Sequence, residues 1–158
     1  MTDLHQIIAA SFTDRYSSLA ERVRELAAPL TDDQFWTKPF AFGNSFGHLV
    51  LHLTGNLSYY LGAQIGATGY VRDRDREFAE AERPPKKQVM QRFDEAVAVV
   101  LKTIQVQSED DWTKPYTAQR EDGAGNRFNI FLRCATHMHL HVGQMIYLSY
   151  ELKRENAA

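Results

Sequence analysis

The sequence predicts an all-α fold, a four-helix bundle with an internal pseudo-two-fold repeat. Apolar residues recur at three- and four-residue steps over four long stretches and nowhere alternate for long enough to build a sheet. A marker is written twice, Trp36-Thr37-Lys38-Pro39-Phe40 and Trp112-Thr113-Lys114-Pro115-Tyr116, each time behind acidic residues. Each copy is followed by an Asn-x-Phe, Asn44-Ser45-Phe46 and then Asn126-Arg127-Phe128, and by a helix-patterned segment rich in histidine. The order of helix, Trp corner, Asn-x-Phe and histidine helix therefore occurs twice.

The first helix is expected over residues 3–28. Leu4, Ile7, Ile8, Phe12, Leu19, Val23 and Leu26 form its stripe, and Pro29 ends it. Residues 31–36 read as one helical turn capped by Thr31 and stopped ahead of Lys38-Pro39. Asn44 or Ser45 caps the second helix, which runs to about Ile65 and stops at Gly66 and Gly69. Residues 70–83, "YVRDRDREFAEAER", are polar without an apolar stripe and read as a crossover. Pro84 and Pro85 open the third helix, carried by Val89, Phe93, Val97, Val100, Leu101 and Ile104. A Gly-rich loop, "REDGAGN", leads to a fourth helix from about Arg127 to Arg154. The two Trp corners have a structural explanation: a large ring covers the end of the core and Pro sets the exit direction.

The 158 residues suffice for one domain, 1–158, with a proper core. With 44% hydrophobic residues, 24% charged and a net charge of −2, the chain has no basic stripe for nucleic acid. The single Cys134 excludes an internal disulfide and fits a reducing compartment. The acid-bearing N-terminus reads as a helix start, and no apolar run reaches the ~18 residues that span a bilayer. A cytoplasmic protein without nucleic-acid or membrane partners is expected.

Five of the six histidines fall in two clusters, "FGHLVLHLTGN" and "CATHMHLHVGQ". Each helical residue advances ~100°, so His137 and His141 share a face while His139 points away. That face also carries Ile130, Cys134 and Leu148, and imidazoles buried there need partners. A divalent transition metal supplies one, and an i, i+4 pair then needs a third ligand. His52 beside the stripe of Leu49, Leu53 and Leu57 fits best; His48 lies further round as a rim or supporting candidate. Met138 stands where a zincin-type protease places its general-base Glu, and no acid has the spacing to close the shell. Three neutral imidazoles leave open positions, the pattern of a catalytic centre suited to zinc, nickel or iron. Cys134 reads as a small buried apolar residue and His5 as an ordinary one.

The segments "GNSFGHLVLHLTGN" and "HMHLHVGQMIYL" resemble the paired motifs of the DinB-like/YfiT-like superfamily, and "RDREFAEAERP" resembles one of its branches. The resemblance spans essentially the whole chain. It implies a four-helix bundle whose metal is held by His52, His137 and His141. Members similar in fold include bacillithiol S-transferases and a mycothiol-dependent isomerase. The resemblance thus implies a metal-dependent enzyme in which a low-molecular-weight thiol cosubstrate is activated for transfer to an electrophilic small-molecule substrate. A metal-dependent hydrolase, a non-catalytic metal- or ligand-binding dimer and an empty structural module remain alternatives. Asn56, Tyr59 and Gln144 follow the ligands at helical spacing as supporting or pocket candidates. Arg72, Arg74 and Arg76 could clamp a carboxylate, although alternation with Asp also describes a solvated loop. The fourth helix is apolar on two sides: Phe128, Phe131, Leu132, Ala135, Val142, Ile146 and Tyr150 on one, Ile130, Cys134, Leu148 and Leu152 on the other. That excess predicts a homodimer.

Overall fold

Residues 3–155 are described by a computed structural model of the chain; residues 1, 2 and 156–158 of the expected domain lie outside the described residues. Helix α1 spans Leu4–Ala27, the short α2 Asp32–Trp36, α3 Phe46–Leu57, α4 Arg74–Ala79, α5 Lys86–Gln105 and α6 Arg127–Glu155. The described residues are mostly helical and contain no strand. Two isolated bridges, Pro115 with Asn126 and Ala118 with Glu121, brace the loop ahead of α6. No described helix is long and apolar enough to cross a membrane.

α1 packs on α5 and α6, and α3 packs on the other sides of the same two helices. The apolar stripes read from the sequence meet inside. Tyr16, Phe35, Phe46, Leu53, Phe93, Ile104, Ile130, Phe131, Met138 and Met145 are all fully buried. The Tyr16 hydroxyl donates to the Phe131 carbonyl at 2.6 Å, which ties α1 to α6 inside the core and satisfies a buried polar group.

The first corner is capped as the sequence predicts, by Thr31. Thr31 Oγ1 accepts from Gln34 N–H at 3.2 Å, and the Gln34 side chain accepts from Thr31 N–H at 2.9 Å, a complete capping box. That turn seats Phe35 and Trp36 in the core against the start of α3. Close approach is possible because Gly47 has no Cβ, which would lie 2.7 Å from the Trp36 ring. The Trp36 indole donates to the Pro84 carbonyl (3.0 Å), just ahead of α5. Trp112, on a 3-10 turn at Asp110–Thr113, donates to His5 Nδ1 (2.9 Å) at the start of α1 and packs on Phe131 of α6.

The structure departs from the sequence expectations at three places. The second helix is α-helical only to Leu57 and continues as a π-helical segment, Ser58–Ala63. There Gln64 N–H reaches the Tyr59 carbonyl and Gly66 N–H that of Leu61, each five residues back, while the Tyr60 carbonyl accepts from the Tyr116 hydroxyl at 2.9 Å. The crossover contains α4, capped by the Asp73 side chain on Arg76 N–H (3.2 Å). Its Glu77 is buried, not solvated. Finally, most of the second apolar side of α6 is covered within the chain. Phe131, Ala135 and Val142 are buried, as are Ile130, Cys134, Leu148 and Leu152. What stays exposed is Leu132, Leu140, Tyr147 and Tyr150.

Candidate metal centre

Helical phase brings His137 and His141 of α6 to one face, and the contact of α3 with α6 brings His52 opposite them. The Nε2 of His137 lies 3.1 Å from that of His52 and 3.0 Å from that of His141. One ligand atom from each of the three lies within 4.8 Å of the others, and among the described residues they form the one such group able to hold a metal ion.

The outer nitrogens show why this cluster suits a cation. His52 Nδ1 lies 2.8 Å from Glu77 Oε2, and His141 Nδ1 lies 2.7 Å from Gln144 Oε1. Both acceptors lack a proton, so each Nδ1 carries one and donates it outward. Two Nε2 lone pairs then face His137 Nε2, which has at most one proton to offer. At least one pair of nitrogens about 3 Å apart is left without a proton aimed between them. A metal with bonds of about 2.0–2.1 Å to each imidazole replaces that repulsion with attraction and sets neighbouring nitrogens about 3 Å apart. The two α6 rings are also held neutral. Burial and the adjacent imidazoles push His137 down to about 3, and burial lowers His141 despite its bond to Gln144.

Glu77 is the residue the sequence did not single out. Burial alone would raise its carboxyl, but hydrogen bonds from His52 and Arg72 and the Arg72 charge outweigh burial and hold it below the usual range. Arg72 Nε lies 2.7 Å from Oε1 and its Nη2 2.9 Å from Oε2, with both side chains over nine-tenths buried. Arg72 is therefore no part of a solvated loop. Imidazoles that bind metals usually hand their second N–H to a carboxylate, which fixes tautomer and orientation. That expectation signals that one acid is needed but cannot choose among Asp73, Asp75, Glu77, Glu80 and Glu82. The turn of α4 chooses Glu77. Gly55 makes room for it, since a Cβ there would collide with Glu77 Oε1.

The other candidates are placed as follows. Gln144 reaches His141, as above. Asn56 lines a cleft of about 250 Å³ beside His52 and His137. Tyr59 sits in the adjoining outer cleft, its hydroxyl accepting from Gln119 N–H at 3.3 Å. His48 turns elsewhere: its Nδ1 meets Ser45 Oγ at 2.6 Å, its Nε2 the Glu80 carbonyl at 3.3 Å, and its ring the edge of Trp36. It anchors the start of α3 to the end of α4. His139 is exposed, and Arg76 is mostly so. Cys134 borders the cleft, but burial pushes its thiol well above the ordinary range, which makes it inert as a nucleophile. A larger cavity of about 690 Å³ between α3 and α5 reaches Glu77 from behind and touches none of the three histidines, whereas the smaller cleft is lined by His52 and His137.

The family model described as the DinB superfamily matches residues 15–145 of this chain. No curated protein matches it. Among solved structures, one described as the crystal structure of the conserved protein of locus from Enterococcus faecalis aligns with a TM-score of 0.74 at 14% identity. The alignment covers 96% of this chain and 98% of that one, a likeness of fold.

Proposed function

The chain belongs to the DinB superfamily, and from that premise we propose that it is a metal-dependent enzyme with one divalent transition metal, zinc, nickel or iron, at His52, His137 and His141. We propose further that the centre activates a low-molecular-weight thiol for transfer to an electrophilic small molecule. The observation that carries the metal is the meeting of three Nε2 atoms with too few protons to satisfy them. When bound, a divalent cation supplies a Lewis acid that lowers the pKa of a thiol or water in its open position. Glu77 orients His52, Gln144 orients His141, and Arg72 keeps Glu77 ionised.

The thiol is favoured over water by the family resemblance and by the way Glu77 is used. Activation of water for hydrolysis calls for a carboxylate able to take a proton. Glu77 already accepts from His52 and twice from Arg72 and is held below the usual range, so it is a poor base. A thiol with its ordinary pKa near 8.5 needs less help. Metal analysis of protein purified without an affinity tag should find about one equivalent per chain. A panel of thiols with an electrophile should then turn over, and a chelator should stop it. Metal without turnover would leave a binding protein; no metal would leave a structural module.

We further propose one cytoplasmic domain over 1–158, built as a four-helix bundle with an internal two-fold. The corners support this: each indole bridges the start of one histidine helix to the start of the next unit's first helix, Trp36 to Pro84 and Trp112 to His5. Superposing the two halves should bring the indoles together; a mismatch of a full side chain would count against duplication. The exposed Leu132, Leu140, Tyr147 and Tyr150 support a homodimer through α6. Light scattering at micromolar concentration should give twice the chain mass, and a monomer mass would remove that proposal.

A further inference from the structure

The cleft beside the histidines is bordered by four arginines, Arg72, Arg74, Arg120 and Arg133. Two are neutralised: Arg72 by Glu77 at 2.7 Å and Arg133 by Glu121 at 2.7 Å. Arg74 and Arg120 have no carboxylate within ion-pair distance among the described residues; the Arg74 guanidinium lies 5.6 Å over the Phe78 ring. The inner cleft thus has a positive surplus next to His52 and His137. The acids of the adjoining outer cleft of about 270 Å³, Asp73 and Asp75, are exposed, and Asp73 is occupied in capping α4.

Arg120 is held in place at some cost. Its φ of +62° is left-handed, a conformation side chains with a Cβ rarely adopt. The Tyr60 hydroxyl meets the Gln119 and Arg120 carbonyls at 3.4 and 3.3 Å, and the Tyr59 hydroxyl accepts Gln119 N–H. Buried Glu121 takes the next two free N–H groups, of Gly123 and Ala124, at 2.9 and 3.0 Å. The loop is therefore fastened to α3's π-helical extension with Arg120 at the cleft. Asn56, which lines the same cleft, is 7% exposed and its Oδ1 is buried without a partner. A buried acceptor without a donor is rare in folded proteins.

We propose that this cleft selects a small organic carboxylate, held by Arg74 and Arg120, with the rest of the molecule reaching past Asn56 to the three histidines. Planar guanidinium forks match a carboxylate, and Asn56 Oδ1 offers an acceptor to a hydroxyl, N–H or S–H of the same molecule. The reactive end of this assignment rests on the metal reading; the arginine end does not.

Calorimetric titration of zinc-loaded and metal-free protein with succinate, neutral succinamide and inorganic phosphate tests it. Succinate should bind at least tenfold more tightly than succinamide, and added salt should shrink that preference. Arg74→Gln with Arg120→Gln, both at exposed positions, should abolish the preference while leaving zinc stoichiometry at one. The proposal is overturned if neither form of the protein prefers succinate, if the preference survives both substitutions, or if phosphate binds more tightly than succinate. A zinc stoichiometry of zero with the succinate preference intact would sink the metal reading instead.

Discussion

His137→Ala should empty the metal centre. His137 is the middle member, with its Nε2 near 3 Å from both of the others. Its loss leaves His52 and His141 with no common partner on their own helices. His52→Ala and His141→Ala should act in the same direction. Loss of a supporting partner costs 10–100-fold in metal affinity, and loss of a ligand itself should exceed about 100-fold. Competition against a chromophoric chelator reads this directly. His139→Ala should retain full affinity because the side chain is exposed on the far face of α6. His48→Ala is the sharper control. It shares a helix with His52 one turn away, yet the structure commits both its ring nitrogens to Ser45 and Glu80. It should lose some stability and keep its metal. If His48→Ala releases the metal while His52→Ala retains it, the third ligand has been misassigned; if all these variants keep full occupancy, the centre lies elsewhere.

The difference between His48 and His52 shows what was legible in sequence. Helical phase alone separates them by about 40°, because four residues advance ~400°. Both lie on one side of α3, and the apolar stripe of Leu49, Leu53 and Leu57 favoured His52. The Thr31–Gln34 capping box, the Pro-led start of α5 and the i, i+4 pair on α6 are local patterns, each contained within a few residues. The ion pair of Arg72 with Glu77 is not local in that sense. It depends on where α4 docks against α3, and "RDRDREFAEAE" offers several acids at similar spacing. Arg120 escaped for a related reason. Its backbone is set by Tyr59 and Tyr60 from a helix 60 residues earlier, whose π-helical turns no apolar period announces. The helices and the three clustered histidines follow local patterns; the groups that hold those histidines in place come from packing.

Glu77→Gln should injure both the fold and the centre, by two separable routes. Gln keeps the volume and one acceptor but removes the charge, leaving Arg72 with an 8% exposed side chain and no counter-ion. Breaking a buried pair from one side costs about 3–5 kcal/mol, because the remaining charge stays out of water. Urea unfolding of the metal-free protein measures that part. The second route runs through His52. Gln in place of the carboxylate weakens the outward hydrogen bond that fixes the Nδ1–H tautomer, so Nε2 presents its lone pair less reliably. Metal affinity should fall 10–100-fold. Gly55→Ala should push in the same direction from across the helix interface, since its Cβ would displace Glu77 Oε1. Asp111→Asn separates the routes. Asp111 accepts from Ser108, Lys114 and Arg127 far along the chain from the histidines, so its loss should lower stability and leave metal affinity unchanged. If Glu77→Gln behaves like Asp111→Asn, destabilised but with undiminished affinity for metal, Glu77 serves only as an ion-pair partner and His52 is oriented by packing alone.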